Sequence, residues 1–356
     1  MATLFGQAIS RAELEKRIGD LSQVAGFRLL RLQEGREAGV RVADARTGSG
    51  LRFQVTLDRG MDISLADYKG IPLAWRSGTG DAHPSHFDPA GTGWLRTFPG
   101  GLLTGCGMTY LGAACTDAGQ ELGLHGRLSH IPAENVSVRH TWEGDECLFT
   151  LSGEMRETAI FAENLLLRRT YQFSLGSSAV TIRDEVRNEG SGRTPFMMLY
   201  HINPGWPIVD EGSRLLLNSR GAVPRDREAE KGVGQAFTFS APVPGYREQV
   251  FSHDLVGDAE GFAAAALVNP RIALGLSLRY RQRELPRYTE WKMMGERDYV
   301  VGMEPANCGV RGRAAERAEG TLQHLEGGEE WNAVLHVGVL DGSTDIDRFV
   351  SDHSLR

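Results

Sequence analysis

Residues 164–200 read NLLLRRTYQFSLGSSAVTIRDEVRNEGSGRTPFMMLY. Short turn-forming sequences, GSS at 176–178 and EGSG at 189–192, divide this stretch into three runs. The first two runs alternate apolar with polar side chains, which is the pattern of strands with one buried face. The third run ends in FMMLY and is almost wholly apolar, as in a buried strand. The stretch therefore predicts consecutive antiparallel strands rather than alternating strands and helices.

Segments of the same kind extend on both sides of this stretch through most of the chain. Turn residues separate them at short intervals, and the chain holds 44 glycines and 14 prolines. We find no internal repeat and no low-complexity linker, so residues 1–356 are predicted to form one all-β domain, a large antiparallel sandwich or barrel. The remaining strand-like segments are FRLLRLQ, GVRVADART, LRFQVTLD, DISLADY, IPLAWRS, NVSVRHTWEG, ECLFTLSGEM, SRLLLNS, FAAAALVNP, IALGLSLRYR, DYVVGME and NAVLHVGVL.

Two segments depart from the strand pattern. Residues 8–20 predict a helix, because Ser10 can cap it, Glu13 stands three residues later and Gly19 can end it. We therefore expect residues 1–22 to form a short N-terminal helical extension. Residues 222–249 are the longest stretch without a clear pattern, and loops of this length commonly carry function or wrap a surface.

Composition excludes several classes of partner. The formal net charge of -7 argues against nucleic acid and anionic membranes. No run approaches the ~20 apolar residues of a membrane span, and the charged N-terminus does not resemble a signal peptide. The four cysteines form no CxxC pair. The sequence therefore predicts a cytoplasmic protein with reduced thiols.

Two titratable side chains stand where a strand ends. His201 follows the apolar run TPFMMLY and precedes the turn Asn203-Pro204-Gly205-Trp206-Pro207. Glu304 ends the run DYVVGME and precedes Pro305. A partly desolvated carboxylate has a raised pKa and can act as a base near neutral pH, with the histidine as the acid. The alternatives, a hydrogen-bonded rim histidine and an ordinary turn glutamate, stay open.

Other polar groups were weighed as ligands or nucleophiles. His125 and His130 in GLHGRLSHIP and His253 in VFSHDL also stand in unusual contexts. His125, His201 and Glu304 are suitable ligand types for a divalent metal, but HGRLSH lacks the spacing of a zinc motif, so no cofactor is expected. The run FPGGLLTGCG lacks a phosphate-loop pattern and predicts turns and tight backbone packing, with Cys106 as a small buried residue.

Five motifs, in order along the chain, carry a resemblance to a known family. The chain resembles the aldose 1-epimerase (galactose mutarotase-like) superfamily, and within it the branch with the domain of unknown function 4432. The resemblance implies a supersandwich of antiparallel sheets with a sugar cleft on one concave face. The motifs are DRGMDISLADYKGIPLAW (58–75), LRTFPGGLLTGCGMTYLG (95–112), LHGRLSHIPA (124–133), YHINPGWP (200–207) and YTEWKMMGERDYVVGMEPANCGVRGR (288–313).

The resemblance also implies an activity, the exchange of sugar anomers by acid–base ring opening without a cofactor. It implies Glu304 as the base and His201 as the acid, on opposite sides of the sugar. His125 would hydrogen-bond the sugar, and Arg96, or less directly Arg127, would grip its hydroxyls.

The remaining substrate-binding residues predicted are Asn203, Trp206, Trp291 and Lys292. Trp206 or Trp291 would offer a flat apolar face to the C–H side of the sugar; the alternative is two ordinary core or rim aromatics.

The sequence departs from the family at several positions. Arg127 replaces the second glycine of a His-Gly-Gly motif, and His201-Ile202-Asn203 lacks the usual aromatic pair. The family's substrate-binding aspartate has only Asp254 as a candidate. Arg127, Lys292 and Arg311 would suit an acidic or phosphorylated sugar, or they pair with carboxylates at the rim.

Three functions remain in view from the sequence. The first is an aldose 1-epimerase-type isomerase acting on a monosaccharide or sugar derivative. The second is another carbohydrate isomerase, epimerase or lyase on the same fold, with or without a bound metal, and the third is a sugar-binding protein without turnover. Neither nucleic acid nor a membrane is an expected partner, and the choice between monomer and homodimer stays open.

Overall fold

The computed structural model describes residues 1–356 and consists mainly of strands. The strands in chain order are β1 (Ala2–Leu4), β2 (Gln7–Ile9), β3 (Gly26–Arg31), β4 (Arg41–Arg46), β5 (Leu51–Thr56), β6 (Asp62–Tyr68), β7 (Ile71–Pro72), β8 (Thr104–Met108), β9 (Cys115–Asp117), β10 (Gln120–Leu122), β11 (Glu134–Glu143), β12 (Glu146–Thr158), β13 (Asn164–Ser174), β14 (Ala179–Asn188), β15 (Thr194–Pro195), β16 (Met197–His201), β17 (Arg214–Leu217), β18 (Ser219–Pro224), β19 (Gln249–Leu255), β20 (Phe262–Asn269), β21 (Leu274–Arg281), β22 (Arg287–Met294), β23 (Tyr299–Ala306), β24 (His324–Leu325) and β25 (Glu330–Asp341). The helices are α1 (Arg11–Glu15), α2 (Arg227–Glu230), α3 (Arg313–Glu319) and α4 (Ser343–Asp352).

Three large sheets hold most of these strands. The eight-stranded sheet has the order β11-β12-β13-β14-β25-β21-β20-β17, the six-stranded sheet β18-β19-β22-β23-β16-β8, and the five-stranded sheet β3-β4-β5-β6-β7. A main hydrophobic core contains buried residues of all three, among them Tyr171, Tyr200 and Phe53. The predicted all-β architecture of antiparallel sheets is confirmed.

The stretch 164–200 supplies strands to two of these sheets. Strands β13 and β14 pair antiparallel, with Leu165 opposite Asn188, as their alternation predicts. The apolar third run does not join them. It forms β16, which lies inside the six-stranded sheet between β23 and β8. All five residues of β16 are buried, which explains why this run shows no polar alternation.

The predicted N-terminal extension is wrong in its extent. Ser10 does cap α1, accepting a hydrogen bond from the Glu13 N–H at 3.2 Å. The helix nevertheless ends at Glu15, and the residues before it form the hairpin β1–β2. The Glu13 carboxylate does not complete a capping box, because Lys16 and Arg17 bind it at 2.6 and 2.7 Å.

Other elements were missed from the sequence. The glycine-rich run FPGGLLTGCG was predicted as turns and tight backbone packing; the tight packing is confirmed, but the run also contains the start of β8. Glycine is required there, since a Cβ on Gly107 would lie 2.1 Å from the Met197 carbonyl oxygen. Helix α4 was also not predicted; Ile346, Phe349 and Val350 on it pack against a small cluster beside β20. No helix in the structure is both long and apolar enough to cross a bilayer.

The six-stranded sheet presents two different faces, because side chains alternate along each strand. On β16, Met198 and Tyr200 point into the main core. Met197 and Leu199 point the other way, into a smaller cluster with Ala306 of β23. Strand alternation places His201 and Glu304 on that second face. That residues 1–356 form a single domain stays a prediction.

Candidate functional site

A cavity of about 740 Å³ opens over the second face of the six-stranded sheet. Its volume lies in the range of small-molecule sites, ~300–1,000 Å³. The walls are rich in aromatic rings, with Trp94 stacked on Phe98 at 4.5 Å between centroids and Trp75 lying 6.1 Å from Trp291. The lining residues are Trp75, Ser77, Gly78, Thr79, Thr92, Trp94, Leu95, Phe98, Ala113, Leu124, His125, His201, Arg225, Glu248, Val250, Thr289, Trp291, Met293, Asp298, Glu304 and Val310.

His201 and Glu304 lie side by side on the floor of this cavity. His201 Nε2 and Glu304 Oε1 are 3.2 Å apart, and both side chains are almost fully buried. The contact is not aligned as a hydrogen bond, since Glu304 Oε1 has no hydrogen-bond partner. The expectation that the two groups face each other across a sugar ring is wrong. Neighbouring strands β16 and β23 bring both to the same side of any bound molecule.

Asn203 fixes the state of the His201 ring. Its side-chain nitrogen donates to the His201 carbonyl oxygen at 2.8 Å, so its Oδ1 faces His201 Nδ1 as an acceptor. His201 Nδ1 therefore carries the proton, and Nε2 turns its lone pair toward Glu304. Asn203 is fully buried and does not line the cavity. The prediction that it binds substrate is wrong, because its amide is already engaged with His201.

His125 reaches the cavity from a strained backbone position. Its φ is 58°, in the left-handed region that non-glycine residues rarely adopt. The conformation is held by hydrogen bonds of its N–H to the Gly112 carbonyl and of its carbonyl to the Gly107 N–H, both 2.9 Å. Its ring lies 4.7 Å from Trp94, and its buried Nδ1 has no partner. Backbone strain of this kind concentrates at functional sites.

The desolvated floor favours uncharged forms of its titratable groups. Burial lowers the pKa of His201 to about 3, assisted by nearby His125. Burial likewise lowers the pKa of His125 to about 4. Burial, with a smaller contribution from Glu248, raises the pKa of Glu304 well above its ordinary value. Burial therefore favours the neutral form of both groups, the uncharged imidazole and the protonated carboxyl group.

The segment 222–249 supplies part of the cavity rim and also contacts the opposite face of the six-stranded sheet. Arg225 and Glu248, near its two ends, pair at 2.9 Å and both line the cavity. The Trp291 indole N–H donates to Glu248 Oε2 at 2.8 Å. On the opposite face Lys292 Nζ donates to two carbonyl oxygens of the segment, at 2.7 and 2.8 Å. The long stretch without pattern thus supplies part of the cavity.

Three predicted sugar-binding side chains lie away from the cavity. Arg96 is exposed and does not line the cavity; its carbonyl oxygen accepts a hydrogen bond from Arg36 at 3.0 Å. Trp206 is 63% exposed on the outer surface. Lys292 points to the opposite face from Trp291, because adjacent residues of a strand face opposite ways. These three predictions are wrong.

The other basic candidates are also elsewhere. Arg127 is exposed and lines a second groove with Tyr110 and Glu163. Arg311 pairs with Glu319 on the surface. Of the predicted set, the structure brings His125, His201, Trp291 and Glu304 together in one cavity.

The remaining candidates have structural partners. Asp254 pairs with Arg220 on the surface at 2.7 Å. The His130 ring stacks on Phe87 at 4.0 Å. His253 is sealed behind the sheet against Glu290 at 2.9 Å. Cys106 is buried, as expected.

No three His, Cys, Asp or Glu side chains are grouped as metal ligands would be, the set His125, His201 and Glu304 included. The expectation of cofactor-free chemistry stays a prediction.

Sequence reasoning missed several lining residues. Trp75 and Phe98 lie inside motifs that carried the family resemblance, but aromatic residues there were not singled out. Arg225 and Glu248 lie within segment 222–249, for which only the length and the lack of pattern were noted. Adjacent residues of a strand point to opposite faces, so Trp291 and Lys292 cannot both line the cavity. The sequence alone could therefore have excluded one of the two.

A family model of a domain of unknown function, DUF4432, matches residues 37–339. The chain belongs to the DUF4432 family. Among curated protein sequences, none matches this DUF4432 protein.

Several solved structures have the same fold as this chain. One from Klebsiella pneumoniae subsp. pneumoniae MGH 78578, provisionally named an aldose 1-epimerase, has a TM-score of 0.88 at 24% identity, covering 97% of this chain and 90% of its own. A galactose mutarotase-like protein from Clostridium acetobutylicum has a TM-score of 0.62 at 13% identity, covering 90% and 99%. A galactose 1-epimerase from Lactobacillus acidophilus NCFM has a TM-score of 0.56 at 12% identity, covering 89% and 99%. The predicted galactose mutarotase-like sandwich is confirmed.

Proposed function

We propose that this DUF4432 protein is an aldose 1-epimerase-type isomerase that exchanges the anomers of an uncharged aldose. The observation that carries the proposal is the His201–Glu304 pair, buried and 3.2 Å apart, on the floor of an aromatic-walled cavity. Glu304 Oε1 and His125 Nδ1 are buried without hydrogen-bond partners, so hydroxyl groups of a bound sugar would satisfy them.

Anomer exchange requires two proton transfers at neighbouring oxygens. Loss of the proton from the anomeric O1 forms the C1=O1 bond while the C1–O5 bond breaks, and O5 takes a proton. Rotation about C1–C2 and closure on the other face reverse these transfers. Both oxygens are bonded to C1, so two adjacent groups on one side of the sugar can reach them together. The adjacency of His201 and Glu304 suits this geometry.

The proton distribution suggests how the pair divides the work. In the neutral forms that burial favours, His201 Nε2 takes the O1 proton while the protonated Glu304 carboxyl group gives its proton to O5. During ring closure the transfers reverse, so Glu304 acts as the base and His201 as the acid. The roles implied by the family resemblance thus describe the closing half of the reaction. Each well-placed group contributes roughly 10²–10⁴-fold to the rate.

The other lining groups would bind and orient the sugar. His125 Nδ1 lacks a partner and can hydrogen-bond a hydroxyl near the ring oxygen. Arg225 and Glu248 at the rim offer a donor and an acceptor for further hydroxyls. The indole of Trp291 and the ring of Phe98, 6.3 Å apart, offer apolar surface to the C–H groups.

The charges in the cavity favour an uncharged sugar. Arg225 is the one basic residue among the lining side chains other than histidine, and it pairs with Glu248 and with Asp226, each at 2.9 Å. The basic residues that suited an acidic or phosphorylated sugar, Arg127, Lys292 and Arg311, do not line the cavity. A sugar anion would therefore enter this site without a free cation to receive it.

Anomer-exchange NMR with a panel of aldoses, sugar acids and sugar phosphates tests the proposal, with metal content measured on the same protein. We expect accelerated exchange of at least one uncharged aldose by metal-free protein. Exchange confined to acidic sugars would overturn the substrate class. Binding without any exchange would identify a sugar-binding protein, and exchange that requires added metal would favour a metal-dependent enzyme.

A further inference from the structure

Gly302 lies on the cavity face of β23, two residues before Glu304 and directly opposite Trp291 of β22. It is buried and its φ is not in the left-handed region, so its backbone conformation does not require glycine. Its missing side chain leaves space that other groups occupy. A Cβ at this position would lie 2.3 Å from Glu304 Oε1 and 2.9 Å from the Trp291 Cβ.

The first of these contacts concerns the reacting group itself. Glu304 Oε1 is the atom that stands 3.2 Å from His201 Nε2 and has no hydrogen-bond partner. No donor therefore holds the carboxyl group in this place. Its position is set by packing, and the empty volume above Gly302 is where the carboxyl group bends back along its own strand.

Other glycines of this chain have different explanations. Gly107 and Gly126 carry positive φ values of 112° and 81° and approach neighbouring backbone closely. Such positions need glycine for the fold. At Gly302 the closest atom is the far end of a flexible side chain, which can swing away at little cost to the strand. A methyl group there would displace the Glu304 carboxyl group most, and the Trp291 Cβ, 2.9 Å away, would also have to shift slightly.

We propose that Gly302 is a positioning residue, which keeps open the space in which the Glu304 carboxyl group rests beside His201. The role in turnover rests on the proposed function, whereas the placement of the carboxyl group does not. Alanine at position 302 would turn the carboxyl group away from His201 and toward the cavity. Displacement by about 1 Å costs an enzyme on the order of 10²-fold in rate.

The test is the Gly302→Ala variant with two independent readouts. The kcat for anomer exchange should fall by roughly 10- to 100-fold, while KM changes by less than about threefold. In the infrared spectrum, the carbonyl band of the protonated Glu304 side chain, identified as wild type minus Glu304→Gln, should disappear at a lower pH. That shift is expected because the displaced carboxyl group is less desolvated. A purely structural glycine would not move this band.

Gly338→Ala is the matched control, because Gly338 is a strand glycine whose added Cβ would meet Ser277 Oγ at 3.0 Å and the Ala179 Cβ at 3.3 Å. It should leave both the rate and the infrared band unchanged. A Gly302→Ala protein with unchanged kcat and an unchanged band overturns the inference. A shifted band in a protein that exchanges no sugar would uphold the inference and refute the proposed function instead.

A second variant covers the case in which Gly302→Ala does not fold. Glu304→Asp shortens the side chain by one methylene and withdraws the carboxyl group from the space above Gly302. The double variant Gly302→Ala/Glu304→Asp should then fold as Glu304→Asp does. If the double variant also fails to fold, the strand itself requires glycine and the inference is wrong.

Discussion

Two histidine–glutamate pairs lie in the same six-stranded sheet and differ in what covers them. His201 and Glu304 stand on the face that forms the cavity floor. His253 and Glu290 stand on the opposite face, with both side chains fully buried and a 2.9 Å contact between them. The second pair makes a hydrogen bond and is covered by Phe237 from the segment 222–249.

The two pairs are alike in residue type and pKa shift but differ in whether a ligand can reach them. Both pairs combine the same residue types, and burial raises the pKa of Glu290 as it does that of Glu304. Both pairs also contain buried polar atoms without partners, among them His253 Nδ1 and Glu290 Oε1. A perturbed titratable pair is therefore not sufficient evidence of a catalytic site. The direction in which the strand points each side chain decides which pair can meet a ligand.

The largest expected difference concerns the two glutamates. Glu304→Gln should reduce anomer exchange by 10²-fold or more, since one of the two proton-transferring groups is lost. Glu290→Gln should leave kcat within about threefold, because Glu290 cannot reach the cavity. Polarimetric rates of both variants measure the contrast. Equal losses in the two would mean that the buried pair takes part in turnover.

Stability should depend more on the histidine of the buried pair, His253, than on the histidine of the cavity pair, His201. His253→Ala removes one partner of a fully buried pair and should lower the free energy of unfolding by about 3 kcal/mol or more. His201→Ala should abolish turnover and cost less, about 1–2 kcal/mol, because it leaves only the buried Asn203 Oδ1 without a donor. Denaturant unfolding compares them. A more stable His253→Ala than His201→Ala protein would contradict this assignment of roles.

Asn203 offers a sharper test of the cavity pair. Asn203→Ala removes the acceptor for the Nδ1 proton of His201, so the ring can adopt the other tautomer. We expect kcat to fall by about 10-fold or more with KM nearly unchanged, since the amide does not touch the cavity. The ¹⁵N shifts of the His201 ring report the tautomer directly. An unchanged tautomer together with an unchanged kcat would refute the positioning role of Asn203.

The smallest expected effect is that of pH, because neither His201 nor His125 should titrate between pH 5 and 7. A lowered pKa means that His201 stays neutral down to about pH 3, and His125 down to about pH 4. Activity should therefore not decline as the pH falls through 6.5, the ordinary pKa of histidine, and should vary by less than about twofold between pH 5 and 7. NMR signals of both rings should stay constant over that range. A titration near pH 6.5 would mean that the pair is hydrated and charged.

Much of the fold could be predicted from the sequence, because alternation and turn residues are local signals. The strands of 164–188 are examples. The entry of β16 into a different sheet could not be predicted, since its partners β8 and β23 are distant in the sequence. Tight backbone packing was predicted for the run with Gly105 and Gly107, but its strand β8 was missed, because its pairing partner β16 is distant in the sequence.

For the site, the apolar runs before His201 and Glu304 and the motif LHGR at His125 identified three residues of the cavity. His201 does end its strand, but the expectation of a strand end at Glu304 is wrong, because β23 continues to Ala306. Their side-by-side placement depends on the pairing of β16 with β23, which the sequence does not specify. Arg96 and Trp206 were chosen from motifs of the family resemblance, and the segments that carry them leave those side chains exposed. Long-range pairing and loop direction are therefore what the sequence left undetermined.

The most direct test of the central claim is saturation transfer between the anomeric protons of an equilibrated uncharged aldose. With wild-type protein, irradiating the α-anomer signal should reduce the β-anomer signal in proportion to enzyme concentration. With Glu304→Gln the sugar should still bind, but the transfer should fall to the rate of the sugar alone. Wild-type protein that binds the aldose without transferring saturation, or a Glu304→Gln variant that transfers it equally well, would contradict the account.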